Sequence, residues 1–117
     1  MSVVFNISIH GKVGVLQPVG RIISDDGITE MFATVEQHQK AGVIYWVCDA
    51  AKLDYCNSTG LNFFVRLLTK SRNVGGDCSL VDLQPMVVKL FQLSKLNEIF
   101  TSYASVEDAE ANYNSIA

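Results

Sequence analysis

The chain has 117 residues, 49% of them hydrophobic, and a formal net charge of -3. This length suits one domain with one core, and the hydrophobic content excludes a disordered chain. The nine Lys and Arg residues are dispersed along an acidic chain, which argues against nucleic acid as the main partner. The longest apolar run, Val43 to Cys48, is far too short to span a membrane, and no signal peptide opens the chain. We therefore expect one cytoplasmic domain without membrane insertion.

The first part of the chain predicts two strands joined by a tight turn. Val3 to His10 partly alternates between apolar and polar residues, as a half-buried strand does. Gly11 and Lys12 form a turn, and Val13 to Val19 continues as a second strand in which Pro18 marks a strand end, a bulge or an edge. These neighbouring strands should be antiparallel, because a parallel pair needs a long crossover.

A helix and a buried strand follow. The periodicity predicts a helix that ends near Gly42 and turns one apolar face to the core. Its N-cap candidates are Ser24, Asp25 and Asp26, and its core face is Ile28, Met31, Phe32 and Val35. Val43 to Cys48 has almost no polar alternation, which is typical of a central strand covered on both faces.

A second helix begins in the polar stretch that ends at Gly60. By residue type alone, Ser58 is most simply its N-cap, since Ser is a preferred cap. The spacing i, i+3, i+4 and i+7 predicts a core-facing stripe of Leu61, Phe64, Val65 and Leu68. Phe63 and Leu67 point roughly away from this stripe. This second apolar pair either packs against another element or forms a patch for a partner.

The last third of the chain predicts two strands and two helices. Cys78 to Leu83 is a short buried strand, and Pro85 opens a third helix. The inward positions of that helix are Met86 or Val87, Leu90, Phe91 and Leu93. Asn97 to Thr101 is predicted as an edge strand, and Ser105 begins a C-terminal helix. The order ββαβαβαβα predicts an α/β fold: a mixed sheet of about five strands, the first pair antiparallel and the rest largely parallel, covered by about four helices.

The sequence offers little for catalysis. It contains no Walker loop and no G-x-S-x-G, H-E-x-x-H or G-x-G-x-x-G motif. His10 and His38 are not linked by spacing to a nucleophile. Asp49 and Asp54 flank the loop before the second helix, where they either hold a metal or, as is commoner, hydrogen-bond to turns. We therefore expect a protein that is not an enzyme and has no cofactor or metal.

The three cysteines lack C-x-x-C spacing, so they indicate neither a disulfide framework nor a zinc site. Cys48 and Cys78 fall in apolar strand-like runs and are expected to be packing residues. Cys56 lies just before the second helix. It is either an activated thiolate or, more commonly, a partly buried and unreactive thiol.

Several segments resemble one family. Asn57-Ser58-Thr59-Gly60-Leu61 is similar to the Asp-Ser-[Ser/Thr]-Gly-Leu signature of bacterial anti-sigma factor antagonists, which are STAS domains. Upstream, Pro18-Val19-Gly20-Arg21-Ile22 resembles the family's Gly-[Arg/Glu]-[Leu/Ile] turn, and Val47-Cys48-Asp49 resembles its Val-Leu-Asp. Downstream, residues 86–96 resemble the family's Val-x-x-[Leu/Ile]-[Leu/Phe]-x-x-[Ser/Thr]-x-[Leu] helix. The resemblance implies a single STAS domain over residues 1–117, and the chain departs from the signature at Asn57, where the family has Asp.

The resemblance implies a binding protein that is switched by phosphorylation. The matching residue, Ser58, would be phosphorylated by a serine kinase that is itself the anti-sigma factor, and dephosphorylated by a PP2C-type phosphatase. Unphosphorylated, the protein would bind the kinase and free a sigma factor for transcription. A helix N-terminus also favours an added phosphate, because its N–H groups are unpaired and partly positive. The residues expected to contact the partner are Asn57, Ser58, Thr59, Gly60, Asn62, Phe63, Arg66 and Leu67.

Two other functions stay open. One is a STAS scaffold that is not phosphorylated, as in stress-sensing assemblies or lipid-transport complexes, and Asn57 favours it mildly. The other is a module that binds a nucleotide or a small anion at the same helix N-terminus.

Overall fold

The computed structural model describes residues 3–116. Within this range, six strands form one sheet, and four α-helices and a short 3-10 helix connect them. In chain order the elements are β1 (Val3–His10), β2 (Val13–Ile22), α1 (Ile28–Lys40), β3 (Tyr45–Asp49), β4 (Leu53–Cys56), α2 (Ser58–Asn73), β5 (Asp77–Val81), α3 (Pro85–Leu93), the 3-10 helix (Leu96–Glu98), β6 (Thr101–Ser102) and α4 (Val106–Ile116). None of the helices in this range has the length and apolar content to cross a bilayer.

The sheet is mixed, as the sequence predicts. β1 and β2 form an antiparallel hairpin in which His10 lies opposite Val13. β2 also pairs in parallel with β3 through residues 13–16 and with β4 through residues 20–22. The remaining pairs, β3 with β5 and β5 with β6, are parallel. The predicted α/β sheet with one antiparallel pair is therefore confirmed.

Pro18 lies inside β2. Its antiparallel partner on β1 is Phe5. On the other side of β2, residues 17–19 fall between the segment that pairs with β3 and the segment that pairs with β4. A proline is tolerated there because neither parallel neighbour forms a ladder with this segment.

Two strand predictions were wrong. The stretch Leu53–Cys56, predicted as loop, is the short strand β4, which extends the sheet beside the end of β2. Conversely, the predicted edge strand Asn97 to Thr101 is a strand only at Thr101. Residues 97 and 98 belong to the 3-10 helix, and β6 is the two-residue strand Thr101–Ser102. The sequence does not indicate the short strand β4, because four residues are too few to establish an alternation of apolar and polar side chains.

The helices cover the sheet on both faces. α1, α2 and α3 pack on one face, where alternate strand residues such as Trp46, Cys48 and Leu80 form the main core. α4 packs on the other face, where its Ala109 and Tyr113 form a smaller cluster with the strand residues Val13, Val15, Val47 and Val81. β3 contributes to both layers, which confirms the prediction of a central strand.

Two details of the helices differ from the predictions. α1 is preceded by Gly27 in a left-handed conformation with φ 78, and no side chain caps it. The Ser24 hydroxyl instead accepts a hydrogen bond from the Asp26 N–H and closes a turn. On α3, Leu93 is predicted to face inward but is exposed. Phe91 faces the core, as does Val87 of the two alternatives Met86 and Val87, and Leu90 packs partly against the core. The four residues predicted for the core face of α1 are buried.

Candidate functional site

The site begins with the cap of α2, which is Asn57. Its side-chain oxygen accepts hydrogen bonds from the backbone N–H groups of Thr59 at 3.0 Å and Gly60 at 3.4 Å. Its own carbonyl accepts the Leu61 N–H at 3.0 Å, as the N-cap carbonyl does in a regular helix. Ser58 is therefore the first helical residue and not the N-cap, which corrects one sequence prediction.

Asn57 also ties the start of α2 to the end of β2. Its backbone N–H donates to the Ile22 carbonyl at 3.2 Å, and its side-chain Nδ2 donates to the Ile23 carbonyl at 3.1 Å. The amide accepts the two cap bonds and also donates to Ile23, which a carboxylate could not do because it has no donor. The loop after β2 is thereby held beside Ser58, whose side chain is exposed.

Gly60 places the first turn of α2 directly on the sheet. A Cβ atom at this position would lie 2.3 Å from the Cβ of Cys56 and 3.3 Å from the Cβ of Ile22. Any side chain would push the helix away from β2 and β4. Gly60 is buried, so its contribution to a partner surface is to set the position of Ser58 and not to make a side-chain contact.

Phe63 and Leu67 belong to the core, which corrects the prediction that they contact a partner. Phe63 is 1% exposed, with its ring centroid 5.4 Å from that of Phe5 and 5.8 Å from that of Phe32. Leu67 is completely buried. Of the two alternatives for this pair, packing against other elements is the one observed.

One face of α2 forms a surface stripe at positions i, i+3, i+4 and i+7, which are Ser58, Leu61, Asn62 and Val65. Asn62 is exposed, and Leu61 and Val65 are each half-buried beside it. Residues with this spacing share one helix face. Leu61 packs partly against the main core, which agrees with the predicted core stripe, but the exposed parts of Leu61 and Val65 are apolar area that the sequence prediction did not place on the candidate surface. The same periodicity counted from Ser58 would have found it.

Arg66 lies on the flank of this surface. Its guanidinium carbon is 4.4 Å from the ring centroid of Phe32, and one turn further along α2 Lys70 forms an ion pair with Glu36. Both cations therefore join α2 to α1. Thr59 is half-buried on the same flank, so the exposed polar residues at the helix start are Ser58 and Asn62.

The other residues considered from the sequence do not form a catalytic group with Ser58. Cys56 is buried, and its burial raises the pKa of the thiol to about 11, which disfavours an activated thiolate. Asp49 accepts hydrogen bonds from Gln17 Nε2 and the Ala51 N–H, each at 3.1 Å. Asp54 accepts from Gln84 Nε2 at 3.5 Å. Both carboxylates thus bind neighbouring turns and strands.

The histidines have structural contacts. The imidazole Nδ1 of His10 contacts the carboxylate of Glu110 and joins the end of β1 to α4. His38 lies near Trp46, with ring centroids 6.2 Å apart. Over residues 3–116, no three His, Cys, Asp or Glu side chains are arranged to hold a metal ion.

The fold and the site together define a small α/β domain that presents an exposed serine at the first position of a helix seated on its sheet. The chain belongs to the STAS domain family, whose model matches residues 5–109. It is 31% identical over 84 residues to BtrV of Bordetella bronchiseptica, named as a candidate anti-sigma factor antagonist, and this match covers 72% of this chain and 69% of BtrV.

Two solved structures show the same fold. The anti-sigma factor antagonist SpoIIAA in its unphosphorylated form is 19% identical with a TM-score of 0.81, and the match covers 97% of this chain and 99% of that one. The Bacillus cell fate determinant SpoIIAA in its phosphorylated form is 18% identical with a TM-score of 0.73, and the match covers 93% and 98% of the two chains. The STAS fold predicted from the motifs is therefore confirmed.

Proposed function

We propose that this chain is an anti-sigma factor antagonist and that the hydroxyl of Ser58 is its phosphorylation switch. In the unphosphorylated form it binds an anti-sigma factor that is a serine kinase, and a sigma factor is released for transcription. A PP2C-type phosphatase restores the binding form. The chain is then a substrate of enzymes and not an enzyme, and it acts in the cytoplasm, where the sigma factor is.

The observation that carries this proposal is the position of Ser58. Ser58 is exposed and is the first residue of α2, and the helix is capped by the side chain of the preceding residue, Asn57. The fold neighbour SpoIIAA has been solved with and without phosphate, which supports a switch that leaves the domain intact. BtrV, named as a candidate antagonist, supports the same class of function.

The local electrostatics suit a phosphate on Ser58. The helix N-terminus carries partial positive charge, which favours a phosphate there. Asn57 is neutral, so it does not repel a dianion on the next residue, as an Asp would. Because Asn57 already binds the Thr59 and Gly60 N–H groups, the cap does not depend on the phosphate. Phosphorylation is thus expected to change the surface and not the fold.

The surface around Ser58 explains how phosphate would stop binding. Leu61 and Val65 supply half-buried apolar area on the same helix face, and Ile23 is 39% exposed on the loop that Asn57 holds. A partner that covers this area must also remove water from position 58. Phosphate adds about -1.5 to -2 charges there, and burying such a charge without a partner is costly. The unphosphorylated form is therefore the binding form.

Binding of a free nucleotide or anion at this helix start is less well supported. The side-chain oxygen of Asn57 occupies two of the first-turn N–H groups that such a ligand would need. A free anion would have to displace the Asn57 side chain from these N–H groups. A phosphate on Ser58 would not, because it is held by a covalent bond.

The test is incubation of the protein with ATP and each serine-kinase anti-sigma factor of its source cell, followed by mass spectrometry of the α2 peptide. We expect one phosphate on Ser58 and none in Ser58→Ala. Phosphate on Thr59 alone would move the switch by one residue. A stable complex with the kinase and no phosphate on either residue would contradict the switch and favour an unphosphorylated scaffold.

A further inference from the structure

A second surface of interest lies along β1, at one edge of the sheet. Within residues 3–116, β1 is a terminal strand of the sheet, and its one strand neighbour is β2. In an antiparallel pair, alternate residues direct their N–H and C=O groups away from the partner strand, so β1 offers an unpaired ladder eight residues long.

β1 lacks the features that usually protect such an edge. Proteins commonly place proline, or lysine and other charged residues, on an exposed edge strand to prevent pairing with another chain. Residues 3–9 contain no charged residue, no proline and no glycine. Val4 and Ile9 are 47% and 37% exposed, and Asn6 and Ser8 between them are exposed too, so the unpaired edge carries uncharged apolar and polar side chains.

A groove runs beside this edge, between β1 and the start of α1. It encloses about 430 Å³. Its floor is apolar and includes Phe5, Ile7 and Met31, and its far wall carries Asp26 and Glu30. Phe5 and Ile7 pack partly against the main core, so the floor is part of the rigid domain.

The two carboxylates on the wall are available to an outside cation. Both residues are exposed, and the contacts between basic side chains and carboxylates seen over residues 3–116 join other residues: His10 with Glu110, Lys70 with Glu36, and Arg72 with Asp77. An apolar floor with an acidic wall is complementary to a segment that carries both apolar and basic side chains.

We propose that this groove binds an extended, basic segment of a partner protein, which adds a strand to β1. Main-chain hydrogen bonds to the β1 edge would supply affinity, and alternate side chains would supply specificity, as in other cases of strand addition. On the face that meets the groove, we expect apolar side chains over Phe5 and Ile7 and a Lys or Arg opposite Glu30. This surface does not include Ser58, so the proposal is independent of the phosphorylation switch.

A second copy of this chain is the less favourable occupant. If two β1 strands paired in antiparallel fashion about a two-fold axis perpendicular to the sheet, both α1 helices would lie on the same face and flank the axis. Asp26 and Glu30 of one copy would then approach the same acids of the other, and like charges across an interface oppose association. The chain's net charge of -3 adds to this repulsion.

The test begins with selection of random twelve-residue peptides displayed on phage against the wild-type protein. The most enriched peptide is then titrated by fluorescence anisotropy against the wild type, Glu30→Lys and Glu30→Gln. Glu98→Lys, which makes the same charge change beside the opposite edge of the sheet, is the matched control. Circular dichroism confirms that each variant is folded.

We expect enriched peptides in which apolar and basic residues alternate, about tenfold weaker binding to Glu30→Lys, a smaller loss with Glu30→Gln and little change with Glu98→Lys. N-methylation of one alternate set of peptide amides should abolish binding, and methylation of the other set should be tolerated, because only one set faces β1. No enrichment, binding that is equal in Glu30→Lys, or insensitivity to N-methylation would overturn the proposal. A wild-type dimer in sedimentation that competes with the peptide would also overturn it, in favour of a second copy.

Discussion

A Cβ atom at Gly60 would lie 2.3 Å from the Cβ of Cys56, so α2 starts in direct contact with β4. This distance is far inside a normal van der Waals contact, and the neighbouring atom belongs to a buried residue that has no free space to move into. The glycine of the signature motif is therefore a packing requirement. It fixes how closely the helix approaches the sheet, and thereby where Ser58 is presented.

Gly60→Ala should lower the free energy of unfolding by about 1–3 kcal/mol, because the added methyl group overpacks the junction of α2 with the sheet. Urea titration measures the change. Ser58→Ala, an exposed substitution two residues earlier, is the control and should change stability by less than ~0.5 kcal/mol. Equal stability of the two variants would show that the junction can relax around a side chain.

Asn57→Ala should cost about 1–2 kcal/mol, because it removes the side-chain cap of α2. It also removes the bond from Nδ2 to the Ile23 carbonyl. Asn57→Asp restores the residue found in the family signature and keeps the cap oxygen, but it cannot donate to Ile23. Its stability, measured by thermal denaturation, should fall between those of the wild type and Asn57→Ala. A loss in Asn57→Asp as large as in Asn57→Ala would show that the tether to Ile23, and not the cap, dominates.

Phe63→Ala should destabilise the protein by ~3–5 kcal/mol, as truncation of a buried aromatic residue does. Its ring packs among those of Phe5, Phe32 and Phe64. Asn62→Ala, next to it but exposed, should change the free energy of unfolding by less than ~0.5 kcal/mol. Guanidinium titration of both variants measures the two changes. A folded and equally stable Phe63→Ala protein would contradict the placement of this residue in the core.

The sequence predicts the order of the elements well and the rotation of α2 about its axis less well. Phe64 and Leu68 fit both the predicted stripe and the observed one. The buried face of α2 includes Gly60 and Ser71, which are small or polar. A prediction made from the apolar residues alone therefore rotates the core stripe toward Leu61 and Val65. Ser71 is buried because its hydroxyl donates to the Leu67 carbonyl at 2.9 Å. Close approach of the backbone to the sheet, and not hydrophobicity, requires the glycine at position 60.

The candidate site shows the same limit. The polar stretch and the motif predict a site at the start of α2, and of its predicted residues Ser58, Asn62 and Arg66 are exposed. The identity of the cap did not follow, because Asn and Ser are about equally good caps and the residues are adjacent. Asn57 differs from Ser58 in that its amide also donates a hydrogen bond to the carbonyl of Ile23, a residue that is distant in sequence.

The cysteines should be unreactive in the native protein. Burial raises the pKa of the Cys56 thiol to about 11 and also raises the pKa values of Cys48 and Cys78. At pH 8, iodoacetamide should label the native chain very slowly and should label all three thiols in guanidinium. Rapid labelling of Cys56 in the native state would revive the activated-thiolate alternative.

The same raised pKa predicts a loss of stability at alkaline pH. An unfolded cysteine has a pKa of about 8.5. Above that value the unfolded chain binds fewer protons than the native chain, so the free energy of unfolding falls as pH rises toward the native pKa of about 11. Cys56→Ala should show a smaller fall over pH 8.5 to 11 than the wild type does in urea titrations. An identical fall would mean that other groups cause it.

The proposed switch predicts opposite binding by two variants of nearly equal stability. Ser58→Ala removes the phosphate acceptor without adding charge, so it should bind the kinase constitutively. Ser58→Asp adds one negative charge at the helix N-terminus, where the fold tolerates it, but a partner covering Leu61 and Val65 would have to desolvate it. Calorimetric titration should show affinity at least about tenfold weaker than that of the wild type.

Thr69→Asp is the matched control for this prediction. It adds the same charge to an exposed position on α2, 11 residues further along the helix and so about 16 Å away from position 58. If charge acts only where the partner removes water from Ser58, Thr69→Asp should bind like the wild type. A similar loss of affinity in both aspartate variants would mean that the partner responds to the overall charge of α2, and Ser58 would lose its special place in the interface.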